Sequence, residues 1–366
     1  MISIYIHIPF CIRKCDYCSF YSINSNEEKF EEYTNSLIKQ INVFGNNEII
    51  KTIYFGGGTP SIIGSDRLIR ILNAISKKFD LSECEEITLE VNPKTSSYND
   101  FLSLRNNGFN RLSIGLQSTN DVLLEEIGRV HNYNDFLKTY DQACIAGFNN
   151  ISTDLIYGLP NQSLSDHIDS INKLIALDVK HISMYALSIE PETKMFKYRD
   201  SYNFPDEDEE FQMYISASDL LEKNGYSHYE ISNFAKIGYE SKHNNGYWKG
   251  RNYLGFGTSS HSYYNKKRFS CNFDVDTFIK KSNVLDNFYS FTDYHSQPFL
   301  TDDDLFEERI MLGLRLKEGV ELNDSQIKKA QIYINAGYMK VNKDKFHLTP
   351  LGWYISNTII ANILSE

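Results

Sequence analysis

The chain has 366 residues, 41% of them hydrophobic and 14% aromatic, with a formal charge of −11; this size and composition fit a globular protein with a large buried core and exclude a disordered one. The negative balance argues against nucleic acid as a partner, because backbone binding rests on clustered Lys and Arg. No apolar run approaches the roughly 20 residues of a membrane span, and the opening "MISIYIHIPF" lacks the charged n-region and cleavage site of a signal peptide, so the expected location is the cytoplasm.

The first strand-like run, "ISIYIHI" (2–8), leads into "HIPFCIRKCDYCSFY" (7–21), which gathers Cys11, Cys15 and Cys18; Cys84, Cys144 and Cys271 are scattered singly. Further β-branched or aromatic runs follow at "KTIYFGG" (51–57), "EITLEVN" (86–92), "RLSIGLQ" (111–117), "ISTDLIYG" (151–158) and "HISMYALS" (181–188), with helix-like segments such as 66–79, 133–148 and 165–177 between them. Repeated βα units predict an α/β fold with a parallel sheet and right-handed crossovers, and periodicity leaves open whether that sheet is doubly wound or a barrel. In either case the loops past the carboxyl ends of the strands carry the chemistry. The cysteines, "GGGTP" (56–60), Glu90, Gln117 and Asp154 all fall there.

After about residue 200 the pattern changes. The acidic "PDEDEE" (205–210) opens a helix over 211–225, and irregular, aromatic-rich sequence runs to about 300. The order is then helix (301–316), helix (323–337), two short strands (within 339–350) and a last helix (352–366), which resembles a small winged-helix module. The expected division is a core over 1–230, an irregular segment over 231–300 and a C-terminal module over 301–366.

Singly scattered cysteines do not form the disulfide framework of a secreted protein, and in a reducing compartment a tight cluster points to a metal. Zinc would need a fourth ligand, and His7, pointing along its strand, is a poor one. A four-iron cluster on three thiolates leaves one iron open to a small molecule; inert buried cysteines are the plain alternative. The glycines of "GGGTP" suit either a turn or close approach of backbone N–H groups to a ligand. Glu90, Gln117 and Asp154 are polar residues late in strands, so they either bond to neighbouring backbone or face a site. In "KHNNGYWKGRNYLGFGTSSHSY" (242–263), His243 beside Tyr247 and Trp248 is either a haem-iron ligand flanked by flat rings or a satisfied core histidine.

Cys-x3-Cys-x2-Cys after a first strand resembles the signature of radical S-adenosyl-L-methionine (SAM) proteins. Together with "YIHIPFC", "YFGGGTPS", "LEVNP", "RLSIGLQS", "DLIYGLP" and "YEISNFA", it makes nearly the whole chain similar to the HemN/HemW branch of that superfamily. The resemblance implies a partial (βα)6 TIM-like radical SAM barrel, with an α+β C-terminal extension and the winged-helix-like module. It also implies a [4Fe-4S] cluster on Cys11, Cys15 and Cys18, with SAM chelating the open iron and being cleaved by an electron from the cluster. The SAM contacts it implies are Tyr5, Tyr17, Gly57, Gly58, Thr59, Glu90, Gln117, Arg129, Asp154 and Ala186. A carboxylate suits the ribose hydroxyls and an arginine the SAM carboxylate. "HNNGYW" fits the H-N-x-x-Y-W motif associated with haem binding in HemW-type haem chaperones, which implies His243 as haem ligand beside Tyr247 and Trp248. His261 lies in a segment resembling one near the SAM site, whereas His131 and His228 read as structural.

Two activities fit this resemblance. One is a haem chaperone; the other is an oxygen-independent coproporphyrinogen III dehydrogenase, which decarboxylates the propionates by radical chemistry. Those dehydrogenases extend the motif to Cys-x3-Cys-x2-Cys-x-Cys and carry an extension ahead of the first strand. Here Ser19 and Phe20 follow Cys18, and the first strand starts at residue 2. With "HNNGYW", these departures favour the carrier, whose expected partners are haem and a haem-acceptor protein, with weak membrane association alongside the acceptor.

Overall fold

The computed structural model describes residues 1–45 and 47–365. Its elements begin with β1 (Ile2–Ile8), α1 (Glu27–Asn42), β2 (Ile50–Gly57), α2 (Ser65–Lys78), β3 (Glu86–Val91), α3 (Tyr98–Asn106) and β4 (Arg111–Gln117). They continue with α4 (Asp121–Glu126), α5 (Tyr133–Ile145), β5 (Ile151–Tyr157), α6 (Leu164–Ala176), β6 (His181–Ala186), α7 (Lys194–Lys197) and α8 (Glu207–Lys223). Next come β7 (Ser227–Glu230), β8 (Asn233–Ala235), α9 (Lys242–Trp248), β9 (Tyr253–Phe256), β10 (His261–Tyr264), β11 (Lys267–Ser270) and α10 (Val275–Lys281). The chain ends with α11 (Asp302–Gly313), α12 (Asp324–Asn335), β12 (Met339–Asn342), β13 (Lys345–Leu348), α13 (Pro350–Tyr354) and α14 (Ser356–Leu364).

Two compact units emerge: residues 1–154, 188–202 and 251–299, and residues 155–187, 203–250 and 300–366. In the first, the strands lie in the order β11-β10-β9-β1-β2-β3-β4. β1 pairs parallel with β2 on one edge and with β9 on the other, and the β2–β3 and β3–β4 ladders are parallel too. A parallel strand is covered on both faces and so reads as a near-continuous hydrophobic run. β1 is covered on both faces but is not uniformly apolar: Ile2, Ile4, Ile6 and Ile8 are buried on one face, Ser3 and His7 on the other, and only Tyr5 keeps some solvent contact. Behind the strands, Phe10, Phe30, Tyr33 and Phe278 form one ring cluster, and Phe44, Phe79, Phe256 and Phe288 another.

In the second unit, β6-β8-β7 are antiparallel neighbours and β12–β13 is a separate hairpin. Among the described residues, β11 pairs only with β10 and β7 only with β8, so each is a sheet edge and the α/β fold has an open sheet. Helix starts are fixed locally. α3, α5, α6, α8, α11 and α12 each begin with a reciprocal capping box, for example Asp206 accepting from the Glu209 N–H while Glu209 reaches back. The acidic run expected to precede a helix at 211 is instead the first turn of α8, where carboxylates face the positive end of the helix.

The expected division at 230 and 300 does not coincide with these units. Residues 251–299 are not irregular: β9 is hydrogen-bonded to β1, and β10 and β11 extend from it, which ties this segment to the N-terminal strands. The four-residue strands "YLGF", "HSYY" and "KRFS" show no clean apolar–polar alternation, so the sequence pattern does not announce them. The last helix, expected over 352–366, is broken at Ile355 into α13 and α14. Among the described residues, no helix is long and apolar enough to cross a membrane.

Gly257, just past β9, has φ +93°, and a Cβ there would land on the Tyr33 hydroxyl and 2.7 Å from the His7 carbonyl oxygen. That hydroxyl donates to the His7 carbonyl at 2.9 Å and accepts from the Thr258 N–H at 3.0 Å. Gly257→Ala should therefore cost about 1–3 kcal/mol from backbone strain and overpacking, seen as a lower denaturant midpoint at unchanged slope. Gly238→Ala, where φ is +89° but the space is open, should cost less; equal losses would show that the clash at Gly257 is relieved.

Candidate functional site

The loop after β1 is closed by its own backbone. The Cys11 N–H donates to the Ile23 carbonyl at 3.0 Å, the Ile23 N–H to Pro9 at 2.9 Å, and the Cys18 N–H to Cys15 at 3.2 Å. Asp16 pins the middle of the loop: its N–H donates to the Ile127 carbonyl, its own carbonyl accepts from the Met195 N–H, and its carboxylate pairs with Lys194 at 2.7 Å. All three thiols of the loop are half-buried. Burial raises the Cys18 thiol pKa, and the neighbouring Cys15 and Cys11 raise it further. Among the described residues, no three His, Cys, Asp or Glu side chains are already gathered closely enough to hold a metal.

Three strand-end loops meet this one. Thr59 Oγ1 lies 3.4 Å from Cys11 Sγ and accepts from Asn92 Nδ2 at 2.7 Å. Arg129 donates to Asn92 Oδ1 and to the Gly115 carbonyl, both at 2.7 Å, and its Nη1 lies 3.6 Å from Cys15 Sγ. Burial works against the Arg129 charge, yet Tyr17 and the Cys15 and Cys11 thiols around it hold its pKa above the ordinary arginine value. Its Nε is buried without a hydrogen-bond partner. Burial also raises the pKa of Tyr17, against the pull of Arg129.

Glu90 accepts from the Tyr54 hydroxyl at 2.8 Å and from the Gly57 N–H at 3.1 Å, so it fixes the start of "GGGTP". Although the side chain keeps some solvent contact, desolvation, with Asp154 nearby, pushes its pKa up to about 7. Gly57 itself has φ +119°, and a Cβ there would sit 2.7 Å from the His7 ring. Asp154 accepts from the Ser113 hydroxyl at 3.2 Å. Gln117 closes β4 with φ +72°, a conformation that side chains other than glycine's adopt at a cost. The Tyr5 hydroxyl lies 3.0 Å from His7 Nδ1, and burial depresses the His7 pKa to about 4.

The second unit holds a cavity of about 840 Å³. α9, the helix formed by "KHNNGYW", places Asn244, Tyr247 and Trp248 on its wall, and Arg315 and Glu230 stand close by. His243 does not line it: this side chain is 1% exposed, and its Nε2 lies 2.8 Å from the Tyr247 hydroxyl. Glu230, buried and bonded by Asn233, the Ser232 N–H and the Trp248 indole, has its pKa pushed up to about 7 by desolvation. The Ser241 N–H, at the cap of α9, donates to the Tyr229 hydroxyl at 3.2 Å, and that hydroxyl lies 2.8 Å from His181 Nε2.

The structure thus sets Cys11, Cys15, Cys18 and Tyr17 along one loop of the first unit, with Thr59 against Cys11, Arg129 against Cys15, and Glu90, Gln117 and Asp154 on adjacent strand ends, but it does not bring the three thiols within reach of one metal. Ala186, expected with them, lines the cavity of the second unit. His261 is exposed on β10, whereas His228 is packed between Phe234 and Trp353. His131, read as structural, lines a small recess beside Cys15 and Arg129, and burial holds its pKa down to about 3. Sequence reasoning missed Asn92 and Gly115. A Cβ on Gly115 would sit 2.9 Å from Gln117 Nε2 and 3.0 Å from Asn92 Oδ1, and the signal available was their place at the ends of "EITLEVN" and "RLSIGLQ".

A sequence profile of the Radical SAM superfamily matches residues 5–174. The heme chaperone HemW of Lactococcus lactis is 33% identical across 100% of this chain and 97% of its own length. The heme chaperone HemW of Bacillus subtilis is 37% identical across 87% of this chain and 85% of its own. Among solved structures, coproporphyrinogen III oxidase (HemN) from Escherichia coli superposes with a TM-score of 0.83, covering 99% of this chain and 89% of that one at 20% identity, a likeness of fold. The chain belongs to the HemW family of the radical SAM superfamily, a membership that implies a [4Fe-4S] cluster and SAM.

Proposed function

We propose that this protein is a haem chaperone acting in the cytoplasm: it takes haem into the cavity of its second unit and passes it to an acceptor protein, while its first unit holds the cluster and SAM. The observation that supports the haem part is that "HNNGYW" folds as a helix presenting Tyr247 and Trp248 to a cavity of about 840 Å³. That size lies within the roughly 300–1,000 Å³ of small-molecule pockets, and the aromatic faces suit a flat macrocycle. Relatives similar over their whole length carry the name heme chaperone.

The first unit's residues fit a cluster with one open iron. Cys11, Cys15 and Cys18 supply three thiolates and no fourth, and Arg129 brings a positive charge beside Cys15 with a buried N–H still to be satisfied. When bound, a [4Fe-4S] cluster supplies an open iron and an electron for SAM. Arg129 would take the SAM carboxylate, "GGGTP" the amino group, and Asp154 the ribose, with Glu90 ordering the glycine loop through the Gly57 N–H. In the second unit, ligation of haem iron by His243 requires its Nε2 to be released from the Tyr247 hydroxyl.

Anaerobically reconstituted protein should hold about four irons and four sulfides per chain, and replacing Cys11, Cys15 and Cys18 together by Ala should abolish the broad visible absorption. Unchanged iron content in that variant would remove the cysteines from the site. Glu90→Ala and Asp154→Ala should each weaken SAM binding by about 1–3 kcal/mol, measured by calorimetry, while sparing the cluster.

Haem titration should produce a shifted Soret band, and His243→Ala should reduce the shift or the affinity without unfolding the chain. An unaltered titration in that variant would move the iron ligand elsewhere. Decarboxylation of coproporphyrinogen III by the reconstituted protein would overturn the carrier reading.

A further inference from the structure

The geometry points to Arg315 as the anchor for a carboxylate of the cavity's ligand, which lays its flat face on the aromatic wall and turns its acidic edge toward the guanidinium. This deepens the haem reading above and rests on it, since haem is an apolar disc whose propionates share one edge.

Arg315 is held by backbone on a rigid support. Its carbonyl accepts from the Ile231 N–H at 3.0 Å, Leu316 bridges to Glu230, and the Leu314 carbonyl accepts from the Trp353 indole at 3.1 Å. The guanidinium carbon stands 5.5 Å from the centre of the Trp248 ring, within the range of a cation–π contact. Nη2 donates to Asn357 Oδ1 at 3.2 Å, whereas Nε is buried and makes no hydrogen bond.

Burial works against the half-buried Arg315 charge and lowers its pKa, so an anion brought to the guanidinium would be stabilising there. Glu230, the nearby acid, offers only partial compensation. Its carboxyl already accepts from Asn233, the Ser232 N–H and the Trp248 indole, and desolvation raises its pKa to about 7. Arg315 lines the cavity, and the bond from Nη2 to Asn357 is the only hydrogen bond of its guanidinium among the described residues.

The other charges on the wall select the class and orientation of the ligand. Glu207 and Glu210, from the first turn of α8, also line the cavity, and with Glu230 they make it hostile to a polyanion such as a polyphosphate. A single carboxylate edge satisfies Arg315, whose planar fork suits a carboxylate, and lies best away from α8. The remaining surface, rich in Tyr and Trp, takes the apolar body of the ligand.

The test titrates the full chain with haem and with haem dimethyl ester, whose propionates are uncharged. Binding is read from the Soret band and from quenching of Trp248 and Trp353, the chain's two tryptophans, both on the cavity wall. The unaltered chain should bind haem about tenfold or more tightly than the ester, the size expected for one charge-assisted hydrogen-bonded pair. Arg315→Gln should weaken haem by a similar factor and bind acid and ester alike, and Arg315→Lys should recover part of the difference. Arg315→Gln holding haem as the parent does, or an unaltered chain binding ester and acid equally, would overturn the assignment. The ester comparison needs no variant, so a misfolded Arg315→Gln leaves it decisive. A chain that binds neither compound overturns the haem reading and this assignment with it, whereas equal binding of both overturns only the assignment.

Discussion

The burial of β1 between β2 and β9 is the constraint on which the first unit depends. Bonded along both edges and covered on both faces, this strand has one register open to it, because a one-residue slip would turn its isoleucines to the opposite face. The register sets Ile8 against Gly57, and the ladder then runs on through the Gly58 N–H to Ile8 and the Thr59 N–H to the Phe10 carbonyl. That is what brings Thr59 to Cys11. The cysteine loop is a continuation of the central strand, fixed before any ligand is considered.

Around that loop the protein accumulates charge that it does not fully compensate. Arg129 sits among Tyr17, Asn92 and the thiols, with its charge favoured by its neighbours and opposed by its burial. Glu90 sits in the reverse situation, its ionisation opposed by desolvation and by Asp154 while it organises the glycine loop. Such opposed groups are expensive in a purely structural setting, and their concentration at adjacent strand ends marks the site as clearly as the cysteines do.

In the second unit, Tyr229 and Glu230, at the register irregularity of the β7–β8 ladder, hold the two ends of α9. Tyr229 accepts from the Ser241 N–H at the cap, and Glu230 accepts from the Trp248 indole at the last residue. The helix that carries Tyr247 and Trp248 is therefore positioned by "YE" of "YEISNFA", a motif with no chemistry of its own in sequence. The same strand end bridges to Leu316 and so sets where Arg315 stands.

The sequence by itself determined the α/β class, the order of the strands up to β6 along the chain and the clustering of three cysteines after the first strand, because period-two runs and short-range spacing are local properties of the chain. It also carried the order of elements in the C-terminal module and the capping residues that start most helices. Only the tertiary structure decided that residues 251–299 return to β1, that Asn92 and Gly115 stand with Arg129, and that His243 is turned onto Tyr247 rather than into the cavity. Those outcomes depend on which strand pairs with which and on how a side chain is satisfied once buried, and no window of neighbouring residues contains either.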